Sequence, residues 1–316
     1  MLAIVAPGQG SQTPGFLAPW LADDLFAARL EWLSVVSGLD LAEYGTTADA
    51  DTIRDTAIAQ PLLVAAGIAT AQALFPAGSP ALSSVGVAAG HSVGEITAAV
   101  VTGVLSPEQA IVFVRERGNQ MAAAAAVHPT SMTAIVGGQS KDVLAAIAAN
   151  GLTVANNNGA GQLVAAGTVE QLAALAAAPP ERARLRPLSV AGAFHSVHME
   201  PAVVHLTNLT QAITVRQPRI RLLSNADGKV VQSGEAYLSR IVNQVANPVR
   251  WDLCMKTMAA LGVTGMLELP PAGTLTGIAK RNLPGVETFA LNSPDQLAQA
   301  RDFVAQHNDA CPQAAA

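Results

Sequence analysis

The pentapeptide Gly90-His91-Ser92-Val93-Gly94 sets a hydroxyl between two glycines, after the apolar run VGVAA and before a segment with helical patterning. Strand, tight turn and helix in that order make a nucleophile elbow, the G-x-S-x-G pattern. The glycines let the backbone turn sharply enough to expose the Ser92 hydroxyl. The N–H of Val93, at the start of the helix, is free to donate to an oxyanion, and the helix dipole favours the charge that develops there. A plain strand-to-helix turn with a capping serine would read the same way in isolation.

A serine nucleophile requires a base, and the sequence offers six histidines. His128 and His307 lie in polar or terminal stretches. His91 adjoins Ser92, and neighbours in an elbow point apart, so its expected role is to support the turn. His195, His198 and His205 remain. Of these, His195 in AGAFHSVHM falls between the end of a strand and the start of a helix, where active-site groups of parallel sheets gather.

Arg117 adds a charge where a helix should be apolar. On a 3.6-residue wheel it shares a face with Ala110, Val114 and Met121, whereas Arg115 and Glu116 point elsewhere. Such an arginine either pairs with a buried carboxylate, Glu95 or Glu116, or reaches a pocket and holds an anion with its planar fork. Beside a serine acyl-transfer site, the second alternative implies an acyl group that itself carries a carboxylate.

The elements that must hold these groups follow from periodicity. LAIVA is a strand, ending in the turn PGQGSQTPG. That turn lacks the third glycine of a dinucleotide fingerprint, since Thr13 stands in its place, and no acidic residue follows at the required distance. Helical patterning covers residues 17–38 and 59–75, and SSVGVAAG is the strand leading into Ser92. Ser106, Pro107 and Glu108 open a helix, as N-cap, first-turn proline and dipole-compensating acid, that should run to about Ala126. From 131 the order becomes βαββαβ, which matches a ferredoxin-like unit inserted in a larger domain. After it come a helix, the strand IRLLSN, a helix near 234–246, NPVRWDLCMKTMAALG, the strand GMLELP and a helix opening at GTLTGIAKR, with HNDACPQAAA expected to fray.

Taken together, APGQGSQ, QPLL, GHSVGE, the RG at 117–118, NGAGQLVAAG, GAFH, NPVRW and GTLTGIAKR resemble, in order and spacing, the malonyl-coenzyme A:acyl carrier protein transacylases of fatty acid synthesis. The resemblance spans nearly the whole chain. It implies an α/β fold: an α/β-hydrolase-like parallel-sheet core, residues 1–128 and 193–300, with a ferredoxin-like small domain, 129–192, and a C-terminal tail, 301–316. It also implies a Ser92–His195 dyad, with the backbone carbonyl of Gln244 where other hydrolases use an aspartate. The backbone N–H groups of Gln9 and Val93 would form the oxyanion hole, and Arg117 would bind the malonyl carboxylate. Gln60, Asn156 and Asn158 would line the pocket, and Phe194 would crowd an α-methyl branch.

The implied activity is ping-pong transfer of malonyl from malonyl-CoA, through malonyl-Ser92, to the phosphopantetheine thiol of acyl carrier protein. Such carriers are acidic, so a basic docking surface is expected. Arg182, Arg184 and Arg186 alternate along a strand and would share a face; Lys280 and Arg281 are a second candidate, and an edge strand that uses charge to avoid pairing is the plainer reading of the first. A serine esterase or thioesterase with the same elbow is an alternative activity, and a silent carrier-protein-binding module another.

Composition narrows the remainder. A net charge of −5 opposes a nucleic-acid-binding role, which needs a basic footprint. Cys254 and Cys311 are far apart and lack ligand spacing, so neither a disulfide framework nor a metal site is expected, and Cys254 reads as a core thiol. No cofactor is implied beyond the two substrates. No segment is read as a membrane span or signal peptide, and the chain is expected to be a cytoplasmic monomer.

Overall fold

Leu2–Ala6 is five apolar residues, all buried, and forms the central strand β1 of the larger sheet. A strand buried on both faces reads as a continuous apolar run, which is what LAIVA is. The structure is a computed structural model and describes residues 1–76, 80–190 and 192–308. The remaining strands are β2 (Val85–Gly90), β3 (Thr130–Gly137), β4 (Thr153–Asn157), β5 (Gln162–Thr168), β6 (Ala183–Pro187), β7 (Arg221–Leu223), β8 (Val230–Val231), β9 (Val249–Arg250), β10 (Gly265–Glu268) and β11 (Glu287–Ala290). The helices are α1 (Asp24–Ser37), α2 (Leu41–Thr46), α3 (Thr56–Leu74), α4 (Gly94–Val101), α5 (Pro107–Ala125), α6 (Ser140–Ala149), α7 (Val169–Ala177), α8 (Glu200–Thr210), α9 (Gly234–Asn243), α10 (Trp251–Ala260), α11 (Thr274–Asn282) and α12 (Leu297–Gln306).

The fold is mixed α/β with two sheets. The first has the order β11-β10-β1-β2-β7-β8, parallel from β11 to β7 and closed at one edge by antiparallel β8. The second has the order β6-β3-β5-β4-β9. Its first four strands come from one continuous βαββαβ segment and are antiparallel, while β9, from outside that segment, joins β4 in parallel. Helices α6 and α7 cover one face of this sheet around Ile135, Val143, Ile147 and Leu175. Met132, Ala134, Val164 and Ala166, on the opposite face, merge with the main core.

Several elements differ from the sequence reading. Residues 17–38 are split: a short 3-10 turn, Ala18–Ala22, precedes α1, whose N-cap Asp23 accepts from the Phe26 N–H. Helix α5 has the expected cap, with Ser106 and Gln109 forming a reciprocal capping box. The C-terminal tail was expected from 301, but α12 continues to Gln306 with Phe303 and Val304 buried, so those residues belong to the core. The expected fraying of HNDACPQAAA, and Cys311, concern residues beyond 308, outside the described residues. The expectation that no segment could span a membrane also needs correction. Helix α3 is 19 residues long and apolar enough to do so by length and composition. It carries no Asp, Glu, Lys or Arg, and most of its residues are buried, packed against α5, α1 and α4 as a core helix.

Candidate active site

Ser92 lies in the three-residue turn between β2 and α4, at the C-terminal end of the strand, with φ 53°. A non-glycine residue in the left-handed region carries strain that the surroundings must hold. They hold it tightly. A Cβ on Gly90 would run into the backbone of Gly94 and Glu95, and one on Gly94 into the carbonyl of Ala6. Both glycines therefore serve close backbone approach. The His91 N–H donates to the Ala6 carbonyl at 2.9 Å, tying the elbow to the end of β1. The His91 side chain turns away from Ser92: its Nε2 lies 3.0 Å from Asn158 Oδ1 and its ring packs edge-on against Trp251.

His195 meets Ser92 from the far side of the chain. Its Nε2 is 2.9 Å from Ser92 Oγ, and its Nδ1 is 2.9 Å from the backbone carbonyl of Gln244. The carbonyl accepts only, so Nδ1 carries the proton and Nε2 is left with a lone pair facing the hydroxyl. The turn holding His195 is braced on both sides: the His195 N–H donates to Val245 O, the Ala193 N–H to Thr130 Oγ1, and Ser196 Oγ to Ala193 O. His195 adopts φ 60° and is 4% exposed. Burial first, and then the nearby Arg117 charge, push its pKa down to about 3, against the pull of the Gln244 carbonyl.

Arg117 is 1% exposed on α5. Gly118 allows this burial, because a Cβ there would press on Thr56 and Ala57 at the start of α3. The guanidinium Nη1 donates to Gln60 Oε1 at 2.6 Å, and Nη2 faces Ser92 Oγ at 3.4 Å and Gln244 Oε1 at 3.5 Å. Among the described residues no carboxylate stands within 4.0 Å of it: Glu116 pairs with His205, and Glu95 accepts from the Asn225 N–H instead. Of the two sequence-based alternatives for Arg117, the ion pair is not formed. Burial also raises the Glu95 pKa to about 8, so this carboxyl is largely neutral at pH 7, while Arg117, lowered by burial only to about 10, stays cationic. The site holds an uncompensated positive charge.

The other expected residues gather around this centre. Gln60, buried, also donates to Met121 Sδ and Gln9 Oε1. Gln9 is fixed by Nε2 donation to Thr56 Oγ1, and the backbone N–H groups of Gln9 and Val93 have no protein acceptor among the described residues. Phe194 is buried beside His195. Asn156 Oδ1 and Gln244 Nε2 are buried without partners among the described residues. A cavity of about 910 Å³ lined by Ser84, Gly86, Arg219 and Arg221 sits at the opposite, N-terminal ends of β2 and β7 and is separate from this site.

The chain matches the acyl transferase domain family over residues 4–302, a span that contains every residue of this site. It belongs to the acyl transferase family. The acyltransferase is 46% identical over 297 residues to the malonyl CoA-acyl carrier protein transacylase of Mycobacterium tuberculosis, with 94% of this chain and 98% of the relative covered. It is 34% identical over 314 residues to the protein of that name from Escherichia coli, with 95% and 99% covered. The crystal structure of MCAT from Mycobacterium tuberculosis superimposes with TM-score 0.91 at 46% identity, covering 95% of this chain and 99% of that one. A structure of a type II PKS acyl-carrier protein in complex with its malonyl-transacylase holds a chain similar to this one at TM-score 0.88 and 32% identity, covering 95% of this chain and 99% of that one.

Sequence reasoning about this acyltransferase missed one group that touches the elbow. Asn225, two residues past β7, accepts from the Ser92 N–H at 2.7 Å and donates to Gly90 O at 2.8 Å. The clue was an asparagine at the C-terminal end of the strand IRLLSN, the position already used to favour His195. The Gln244 side chain, which accepts from Arg117, was expected to contribute only its backbone.

Proposed function

We infer that the protein transfers a malonyl group from malonyl-CoA to the phosphopantetheine thiol of acyl carrier protein through an ester on Ser92. The observation that carries this reading is Arg117: a buried guanidinium, free of any carboxylate within 4.0 Å, facing the nucleophile candidate at 3.4 Å. A buried cation without an anionic partner is costly, so the site favours an acyl group that brings its own carboxylate. Family membership and the relatives' names support the same substrate and acceptor.

His195 Nε2 takes the Ser92 proton as Oγ attacks the thioester carbonyl, and the Gln244 carbonyl holds the ring in the required tautomer. The free N–H groups of Gln9 and Val93 take up the oxyanion. Collapse breaks the C–S bond, and the departing CoA thiolate receives the proton from His195. In the second half the pantetheine thiol gives its proton to His195, its sulfur attacks the Ser92 ester, and Oγ leaves with that proton. The low pKa keeps His195 unprotonated, with Nε2 free to accept a proton, at the start of each half-reaction. No step requires a metal or cofactor, and we propose a monomer as the working form. A serine esterase would need no cation at Arg117, and this disfavours the hydrolase alternative.

We describe the architecture as an α/β-hydrolase-like core carrying a ferredoxin-like insertion, a reading supported by the parallel order β10-β1-β2-β7 and the antiparallel order β6-β3-β5-β4. For carrier docking the strand register joins the two basic candidates. Arg184 stands opposite Val136, which stands opposite Gln162, and Gln162 Oε1 accepts from Arg281 Nη2 at 2.8 Å. Directly opposed residues share a face, so Arg184, the exposed Val136 and Arg281 form one strip. Arg186 lies in the row of Ala134, Val164 and Asn156. Arg182, with φ 61°, precedes β6 and does not share the strand face expected of it, although its side chain is exposed. Lys280 adjoins Arg281 in the last turn of α11.

The test is incubation of the protein with malonyl-CoA and holo-carrier protein. Gain of a malonyl group by the carrier is expected; release of free malonate without carrier loading would favour the hydrolase.

A further inference from the structure

We propose that Asn225 is a positioning residue of the acyl-transfer site: its side-chain amide bridges the Gly90 carbonyl and the Ser92 N–H, and so holds the serine where its hydroxyl meets His195. The proposal rests on the acyl-serine reading of Ser92. The bridge spans both sides of the elbow, with Oδ1 accepting from the Ser92 N–H at 2.7 Å and Nδ2 donating to Gly90 O at 2.8 Å. Asn225 is itself fully buried and fixed on every side. Its N–H donates to Glu95 Oε1, on the helix that follows the elbow; its carbonyl accepts from the Arg250 N–H; and Nδ2 also points at Cys254 Sγ. The residue thus ties the strand before the nucleophile, the nucleophile's own backbone and the helix after it to one rigid point. Ser92 at φ 53° needs such an anchor, because left-handed backbone relaxes when unsupported. The bridge also takes up the Ser92 N–H and leaves the Val93 N–H as the free donor of the turn. An aliphatic residue of similar size would fill the space but leave two buried backbone groups unpaired.

The experiment measures single-turnover malonylation by intact mass for wild type, Asn225→Ala and Asn225→Asp, each normalised to folded protein by thermal melting. Asn225→Ala is expected to slow acylation on the order of 10- to 100-fold, the scale of a misplacement near 1 Å, with the malonyl-CoA concentration giving half-maximal rate changed less than about threefold because Arg117 is untouched. Asn225→Asp supplies the readout that a merely structural role would not move. A protonated aspartic acid can donate to Gly90 O and accept from the Ser92 N–H, whereas the carboxylate would face the carbonyl with no proton. The Asp variant should therefore recover relative to wild type as pH falls from about 8 to 5, and the Ala variant should not. Glu95, which accepts from the Asn225 N–H, has its pKa raised to about 8 by burial and titrates at the top of this window in wild type and variants alike, so the profile is read relative to wild type and to Asn225→Ala; the buried Cys254 thiol is raised well above the window, and His195 nearby, lowered to about 3, stays neutral. Wild-type rates per folded molecule in Asn225→Ala, or an Asp profile parallel to wild type, would overturn the proposal. If Asn225→Ala does not fold, the Asp profile alone decides. Failure of wild type itself to form an adduct would instead remove the acyl-serine reading.

Discussion

Arg117 Nη2 lies 3.4 Å from Ser92 Oγ, and Nη1 of the same guanidinium is locked to Gln60 Oε1 at 2.6 Å. The cation is held at a fixed distance from the hydroxyl, and among the described residues no carboxylate stands within 4.0 Å of it. That relationship makes acyl selectivity and nucleophile placement parts of one arrangement.

Arg117→Ala should cut kcat/KM for malonyl-CoA by about 10²–10⁴, since removing one partner of a buried charge pair costs about 3–5 kcal/mol. Arg117→Lys should recover little, because an ammonium cannot span the carboxylate and Gln60 as a planar fork does. Steady-state loading of the carrier checks both. Equal loss for acetyl-CoA and malonyl-CoA would show that Arg117 does not read the carboxylate.

The acylation half-reaction should be nearly flat from about pH 8 down to about pH 5, since burial and Arg117 lower the His195 pKa to about 3. Rapid-quench acylation rates against pH measure this. An acid limb centred near the ordinary histidine value of about 6.5 would contradict it.

Glu95 should make the fold less stable as pH rises. Its folded pKa, about 8, exceeds its unfolded value of 4.5, so its contribution is fully present below 4.5 and is lost as pH climbs through 8. Over that window the stability difference between wild type and Glu95→Gln should change by up to about 1.4 kcal/mol per pH unit, in favour of the variant at high pH. His195 acts in the opposite direction: its depressed pKa withdraws stability as pH falls from 6.5 towards 3. Urea melts of both proteins at several pH values are the check, and a pH-independent difference would show that Glu95 is ionised in the fold.

Phe194 sits buried beside His195, and its truncation to Ala should relax discrimination against methylmalonyl-CoA roughly tenfold or more, the range of one methyl group in an apolar pocket. Competition between the two thioesters reads the ratio directly; an unchanged ratio would place the α-carbon of the acyl group elsewhere.

Charge reversal at Arg184 and Arg281 together should raise the apparent KM for carrier protein several-fold, more so at low salt, and leave that for malonyl-CoA unchanged. Equal effects on both substrates would remove the docking strip.

The elbow, the cap of α5 and the buried stripe carrying Arg117 were legible because each is a local pattern: glycine spacing, a Ser-Pro-Glu helix start, a 3.6-residue wheel. Asn225 was not, although IRLLSN reads as a strand, because its partners Gly90, Ser92 and Glu95 lie at least 130 positions away and no local pattern links them. Strands β8 and β9, two residues each, are too short for a periodic signal, and β11, ETFA at the sheet edge, offers no apolar run. Arg182 was misplaced because alternation assumes continuous strand, whereas the backbone there is left-handed, where its carbonyl closes on Gly137 before pairing begins.

The most direct test is intact and peptide mass analysis after mixing the protein with malonyl-CoA, beside Ser92→Ala. A single malonyl adduct that maps to Ser92, is absent from the variant and moves to holo-carrier protein on its addition is the expected result. An adduct that persists in Ser92→Ala, or a wild-type protein that never acquires one, would contradict acyl transfer through this serine.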